Sequence, residues 1–214
     1  MSLVSRGWVV GLLLLACRQG TPSGPSSAAV ADAPRPCPHH AAHAAPPAAA
    51  APLPDTSVFH LDSDWTTQTG APFRFASLRG NPTVILMFYG SCQAVCPILI
   101  GDVLRVEAAL SPSARARTRF VLITLDPATD TAPRLRALAA ERGMDPARWT
   151  LLRGQETDIR TVATVLGVQY SRLDAGEFTH SNTITLLSPE GLVVERLEGL
   201  RQPVEPLART AEGL

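Results

Sequence analysis

From Thr83 to Tyr89 the chain reads Thr-Val-Ile-Leu-Met-Phe-Tyr, an uncharged apolar run bounded by Pro82 and Gly90. A run this short and continuous predicts a strand covered on both faces of a sheet. After Cys96 the period changes. Leu99, Val103, Val106 and Leu110 recur at helical spacing, predicting an amphipathic helix from Pro97 to Leu110 with the proline at its first position. A second buried strand is expected at Arg119–Leu125. Asp130 or Thr131 then caps a helix that reaches Arg142 and closes at Gly143. Trp149–Arg153 reads as a third strand, and Glu156–Leu166 as a helix stopped by Gly167. Two strands, Thr179–Leu187 and Leu192–Leu197, flank the turn Ser188-Pro189-Glu190-Gly191, and Pro203 opens a last helix. Upstream, regular structure begins near Phe59, and Thr66–Leu78 centres on Gly70-Ala71-Pro72 as a short hairpin. Strands and helices alternate before the final hairpin, which predicts a layered α/β sandwich.

The first 54 residues carry a different pattern. A single basic residue, Arg6, precedes the apolar run Gly7–Leu15, then Ala16 and Cys17. A bilayer span needs about 20 apolar residues and a signal core about 7 to 15, so residues 1–17 read as an export signal. Leu14-Leu15-Ala16-Cys17 resembles a bacterial lipobox, making Cys17 a lipidation site; the alternative is an ordinary signal discarded together with Cys17. Residues 18–54 are dominated by Ala, Pro, Ser and Gly without apolar periodicity, the composition of a tether, which leaves residues 55–214 for one folded domain. The expected location is extracytoplasmic, on a bacterial membrane through a lipid anchor.

Composition narrows the partners. Hydrophobic residues make up 45% of the chain and the formal net charge is +0, so a core is available and no basic field draws nucleic acid. An exported chain meets oxidants, which directs attention to its cysteines. Cys92 and Cys96 lie where the first central strand hands over to its helix, the edge of an open α/β sheet at which ligands gather. An ordinary thiol, with a pKa of about 8.5, costs about 2 kcal/mol to ionise at pH 7. A helix beginning at Pro97 would lower that cost for Cys96, at its positive end. Two such thiolates can close a disulfide, exchange disulfides with a partner, or hold a soft ion such as Cu(I). Three residues separate them, Gln93, Ala94 and Val95, a wider loop than a C-x-x-C redox pair. His180, at the polar start of a later strand, is the candidate third ligand. Within the tether, Cys37-Pro38-His39-His40-Ala41-Ala42-His43 gathers one thiol and three imidazoles. Cys37, His39, His40 and His43 form an auxiliary metal site if the cluster is more than an accident of composition.

Three segments, FYGSCQAVCP (88–97), LITLDPATDT (122–131) and THSNTITLLSPEG (179–191), together resemble the Sco/SenC family over roughly Thr66–Leu200. The resemblance implies a thioredoxin-like three-layer sandwich with a central mixed sheet flanked by helices. It implies copper, as Cu(I), Cu(II) or both, on Cys92, Cys96 and His180. It also implies a role at the dinuclear copper site of cytochrome c oxidase, as copper donor or as reductant of that site's cysteines. The partners would be the copper-site subunit of that oxidase and another copper carrier. Asp126 and Asp130 match the family's D-P-x-x-D-T stretch and read as turn and cap residues. The family's common T-H-C-P-D-x-C-P is altered here, with Ser91 before the first cysteine and Gln93-Ala94 in place of proline and acid. Two rivals remain. A thiol-disulfide oxidoreductase would use Cys92 and Cys96 as a catalytic redox pair without His180. A thiol peroxidase is disfavoured by Leu86, where its motif needs proline.

Overall fold

A computed structural model describes residues 52–173 and 177–214. The apolar run forms β3 (Thr83–Phe88), with all six residues buried. It pairs in parallel with β4 (Arg119–Thr124), which pairs in parallel with β5 (Trp149–Arg153). On its other side β3 meets β8 (Thr183–Leu187) antiparallel, and β8 meets β9 (Val193–Glu198). A small hairpin, β1 (Trp65–Thr67) and β2 (Pro72–Phe73), closes the far edge against β5. The result is a seven-stranded mixed sheet, ordered β2-β1-β5-β4-β3-β8-β9 and flanked by helices. Strands covered on both faces need no polar alternation, which is why residues 84–88 of β3 and 120–123 of β4 read as unbroken apolar runs.

The helices are α1 (Val95–Ala109), α2 (Pro112–Arg117), α3 (Ala132–Glu141), α4 (Glu156–Leu166) and α5 (Glu205–Gly213). Gly167 ends α4 at φ 74°, a conformation glycine adopts without penalty. The core includes Trp65, Phe75, Phe88, Phe120 and Trp149, with Phe120 and Trp149 stacked at 4.7 Å. At the far end of α1, Glu107 accepts from Arg148 (3.0 Å) and from the Trp149 indole (2.9 Å), pinning that helix to the start of β5.

The structure corrects several expectations. Helix α1 begins at Val95, two residues before Pro97; the proline sits in the first turn, where the missing N–H is one that would lack a helical partner anyway. The segment Thr66–Leu78 is hairpin only as far as Phe73, after which Phe75–Leu78 makes a 3-10 turn. The predicted strand Thr179–Leu187 is two strands in two sheets. β7 (Phe178–His180) pairs with β6 (Tyr170–Arg172) in a separate antiparallel ribbon, and Ser181 and Asn182 carry the chain into β8. The break follows from hydrogen bonding: Ser181 donates its amide to Gln169, while the Asn182 carbonyl accepts from Gly199. Among the described residues no helix is long and apolar enough to cross a membrane. Cys17 and the Cys37, His39, His40, His43 cluster lie outside the described residues.

Candidate metal centre

The loop 89–94 leaves β3 under tight control from below. Asp130 is 2% exposed, and its carboxylate accepts the Gly90 amide at 2.8 Å and the Thr124 hydroxyl. A Cβ on residue 90 would lie 2.4 Å from Asp130 Oδ1, so the close approach requires glycine there. Asp130 is therefore no helix cap. Thr131 holds the N-cap position of α3 without a side-chain bond, and the carboxylate instead fixes the entry to the cysteine loop.

Both cysteines are free thiols. The Cys96 amide, in the first turn of α1, donates to Cys92 Sγ at 3.4 Å. Sulfur thus takes the part of an N-cap acceptor, since Ala94 at the cap has no side chain for it. Burial pushes the Cys92 thiol up, but the amides of Cys96 and Ala94, the Tyr89 hydroxyl and the Cys96 thiol all stabilise its thiolate and bring it down to about 7. Cys96 goes the other way. Burial, outweighing the help of the Tyr89 backbone, and then the neighbouring Cys92 and Asp130 raise it to about 12. The expectation that the helix end activates Cys96 is thus reversed: the helix amides point at the sulfur preceding the helix, and Cys96 turns inward at 2% exposure.

His180 arrives from the ribbon. Its Nε2 lies 3.4 Å from Cys96 Sγ, bringing together residues 84 apart in the chain. Its Nδ1 lies 3.0 Å from the Ser181 carbonyl. A carbonyl can only accept, so Nδ1 carries a proton, and in the neutral ring the Nε2 lone pair faces the sulfur. This is the arrangement in which a second partner fixes the tautomer of a metal-binding imidazole. Tyr89 completes the group. Its ring meets His180 edge-on at 6.0 Å and Phe178 at 5.3 Å, and its hydroxyl, raised to about 12 chiefly by burial and then by its bond to Cys92, donates to that sulfur. Tyr89 and Asp130 are the two site residues that sequence reasoning missed as such. A tyrosine ending an apolar strand beside a cysteine motif was the available sign of the first.

Cys96 meets both other candidate ligands, Cys92 through its amide and His180 through its sulfur. Among the described residues, however, no three His, Cys, Asp or Glu side chains already stand together as a metal cage. The sulfurs open onto a groove of about 260 Å³ whose apolar walls include Pro97, Ile100 and Leu138. The arrangement offers soft donors at a solvent-reachable mouth, with one sulfur ionised near neutrality and one imidazole lone pair aimed inward.

The family model described as SCO1/SenC matches residues 55–213. Among curated proteins, one of Stutzerimonas stutzeri named "Putative copper-binding protein" is 25% identical over 128 residues, covering 58% of this chain and 61% of its own length. The chain thus spans less than two thirds of that relative. A SCO1/SenC family lipoprotein from Bacillus anthracis str. Ames shares the fold at TM-score 0.65 and 24% identity, over 71% of this chain and 91% of that one. ScoI from Bradyrhizobium japonicum, solved with copper bound, is 25% identical at TM-score 0.57, over 71% and 96%.

Proposed function

The chain belongs to the SCO1/SenC family, and on that premise we propose that it binds copper through Cys92, Cys96 and His180 and serves the dinuclear copper site of a respiratory cytochrome c oxidase, delivering copper to it or maintaining its thiols. The observation that carries this reading is the 3.4 Å approach of His180 Nε2 to Cys96 Sγ, with Nδ1 engaged elsewhere. In the metal-free protein the Cys96 thiol, raised to about 12, keeps its proton. Copper takes the place of that proton, so loading releases it. Thiolates and imidazole suit Cu(I) and Cu(II) alike, and the copper-binding names of the relatives agree. Sharing one ion requires Cys92 to swing from its capping position toward the imidazole, so the site closes on its cargo.

The export signal, a lipid anchor at Cys17 and the tether would hold the domain outside the cytoplasm, beside a membrane-bound client; the B. anthracis relative is named a lipoprotein. The tether cluster Cys37, His39, His40 and His43 would raise the local copper concentration, being on the same chain as the site.

A second reading has its own support. One cysteine near 7 and partly exposed, beside one near 12 and buried, is the division between an attacking and a resolving thiol. His180→Ala separates the two. The copper reading expects loss of Cu(I) and Cu(II) retention with disulfide reduction of a client peptide intact. Unchanged copper retention removes His180 from the site and leaves a dithiol redox protein.

A further inference from the structure

His180 is held only as well as the β6–β7 ribbon that carries it. That ribbon is a sheet of its own, outside the seven-stranded one. Behind it lies a cavity of about 340 Å³, bounded among others by Leu125, Asp126, Ile159, Tyr170 and Arg172, so part of this side is left unfilled. A charged contact reaches from the ribbon to the end of β4: Arg172 Nη2 lies 3.5 Å from Asp126 Oδ1. Asp126 is 4% exposed. Its backbone carbonyl already serves the local turn by accepting the amides of Thr129 and Asp130, so the turn does not account for the carboxylate. A carboxylate buried this far needs a positive partner, and Arg172 stands where one is needed.

The same guanidinium lies 5.2 Å over the Phe178 ring, its register partner across the ribbon. Phe178 and His180, two residues apart on one strand, share a face, and both rings meet Tyr89. A continuous set of contacts therefore runs from Asp126 through Arg172, Phe178 and Tyr89 to the imidazole.

We propose that Asp126 and Arg172 are a latch that sets the tilt of the ribbon and thereby positions His180 against Cys96. The proposal rests on the copper reading above. Arg172 is a positioning residue and donates nothing to the ion.

The test uses Arg172→Leu, Asp126→Asn and the conservative Arg172→Lys in the full chain. Arg172 has its side chain half in solvent, so its replacement spares the core. Amide hydrogen exchange of the metal-free protein is read at Leu173 and Ser181, whose amides donate to Glu177 and Gln169. Cu(I) affinity is read by competition with a chelator. Arg172→Leu and Asp126→Asn are each expected to speed ribbon exchange and weaken Cu(I) about tenfold, with exchange in β3 and β4 unchanged. Arg172→Lys, which keeps the charge, is expected to recover most of both. Ribbon exchange in Arg172→Leu within twofold of the parent overturns the latch. So does an effect of Asp126→Asn without one of Arg172→Leu, since the carboxylate would then act through another group. If the parent takes up no copper, the copper reading falls, while exchange in the metal-free protein still decides the latch.

Discussion

The opposite shifts of the two thiols make a sharp prediction about their reactivity. With a pKa of about 7, half of Cys92 is thiolate at pH 7, against roughly three parts in a hundred for an ordinary thiol near 8.5. Cys96, raised to about 12 and 2% exposed, stays protonated and shielded. Iodoacetamide applied to the reduced, metal-free protein therefore modifies Cys92 first. Its rate falls about tenfold per unit below pH 7 and levels off above it. Tyr89→Phe keeps the ring and removes the hydroxyl donor. A hydrogen bond to a charged group is worth about 1.5–3 kcal/mol, less at a partly open site, so the Cys92 pKa rises by about one unit. At pH 6 this lowers the thiolate about tenfold while making each thiolate about threefold more nucleophilic, a net slowing of roughly threefold. Peptide mapping after timed alkylation from pH 5 to 10 measures both effects, with Cys92→Ser and Cys96→Ser as references. Faster modification of Cys96, or one common midpoint near 9 for both thiols, would refute the assignment of helix capping to Cys92.

Copper affinity should rise with pH. The metal-free protein keeps the Cys96 proton up to about 12 and loses that of Cys92 near 7, whereas the loaded site keeps neither. Chelator competition should give a gain of about tenfold per unit between pH 7 and 9, and a steeper one below 7; a flat profile would exclude a two-thiolate site. Asp130→Ala leaves the Gly90 amide and Thr124 hydroxyl without their acceptor and should cost about 2–3 kcal/mol in urea unfolding; an unchanged midpoint contradicts the supporting role of the carboxylate. Gly90→Ala should destabilise by about 1–3 kcal/mol, because the new methyl meets Asp130, and should lose most of that penalty when residue 130 is also alanine. Replacing Cys37, His39, His40 and His43 together should slow copper loading; unchanged rate and stoichiometry would leave the tether without such a role.

The central strands were legible because burial on both faces writes itself as an apolar run, as in Thr83–Phe88, and helix α4 because Gly167 marks its end. The convergence of His180 with the cysteines was suggested by its place at the polar start of a strand and then by family resemblance, and the structure brings Cys96 and His180 into contact. The ribbon was not legible. Tyr170–Arg172 is too short and too polar to announce a strand, and the break at Ser181 depends on a partner twelve residues earlier, Gln169. The activated thiol is Cys92 and not the expected Cys96 for a related reason. Pro97 is a sound start signal, but it does not show that a sulfur three residues before the helix begins at Val95 will accept the amides. Asp130 looked like a cap because its distant acceptor duty, to a glycine 40 positions away, exists only once β3 and β4 are side by side.

The placement of the imidazole outside the main sheet makes its carrier separable from the framework. Residues 169–181 leave and re-enter the framework at neighbouring points, joined by the Gln169 and Ser181 bonds. On the proposed copper site, exchanging such an excursion would exchange the third donor while the strands beneath it stay in place. Chimaeras that graft a foreign excursion onto this framework would show whether metal preference travels with thirteen residues or with the whole domain.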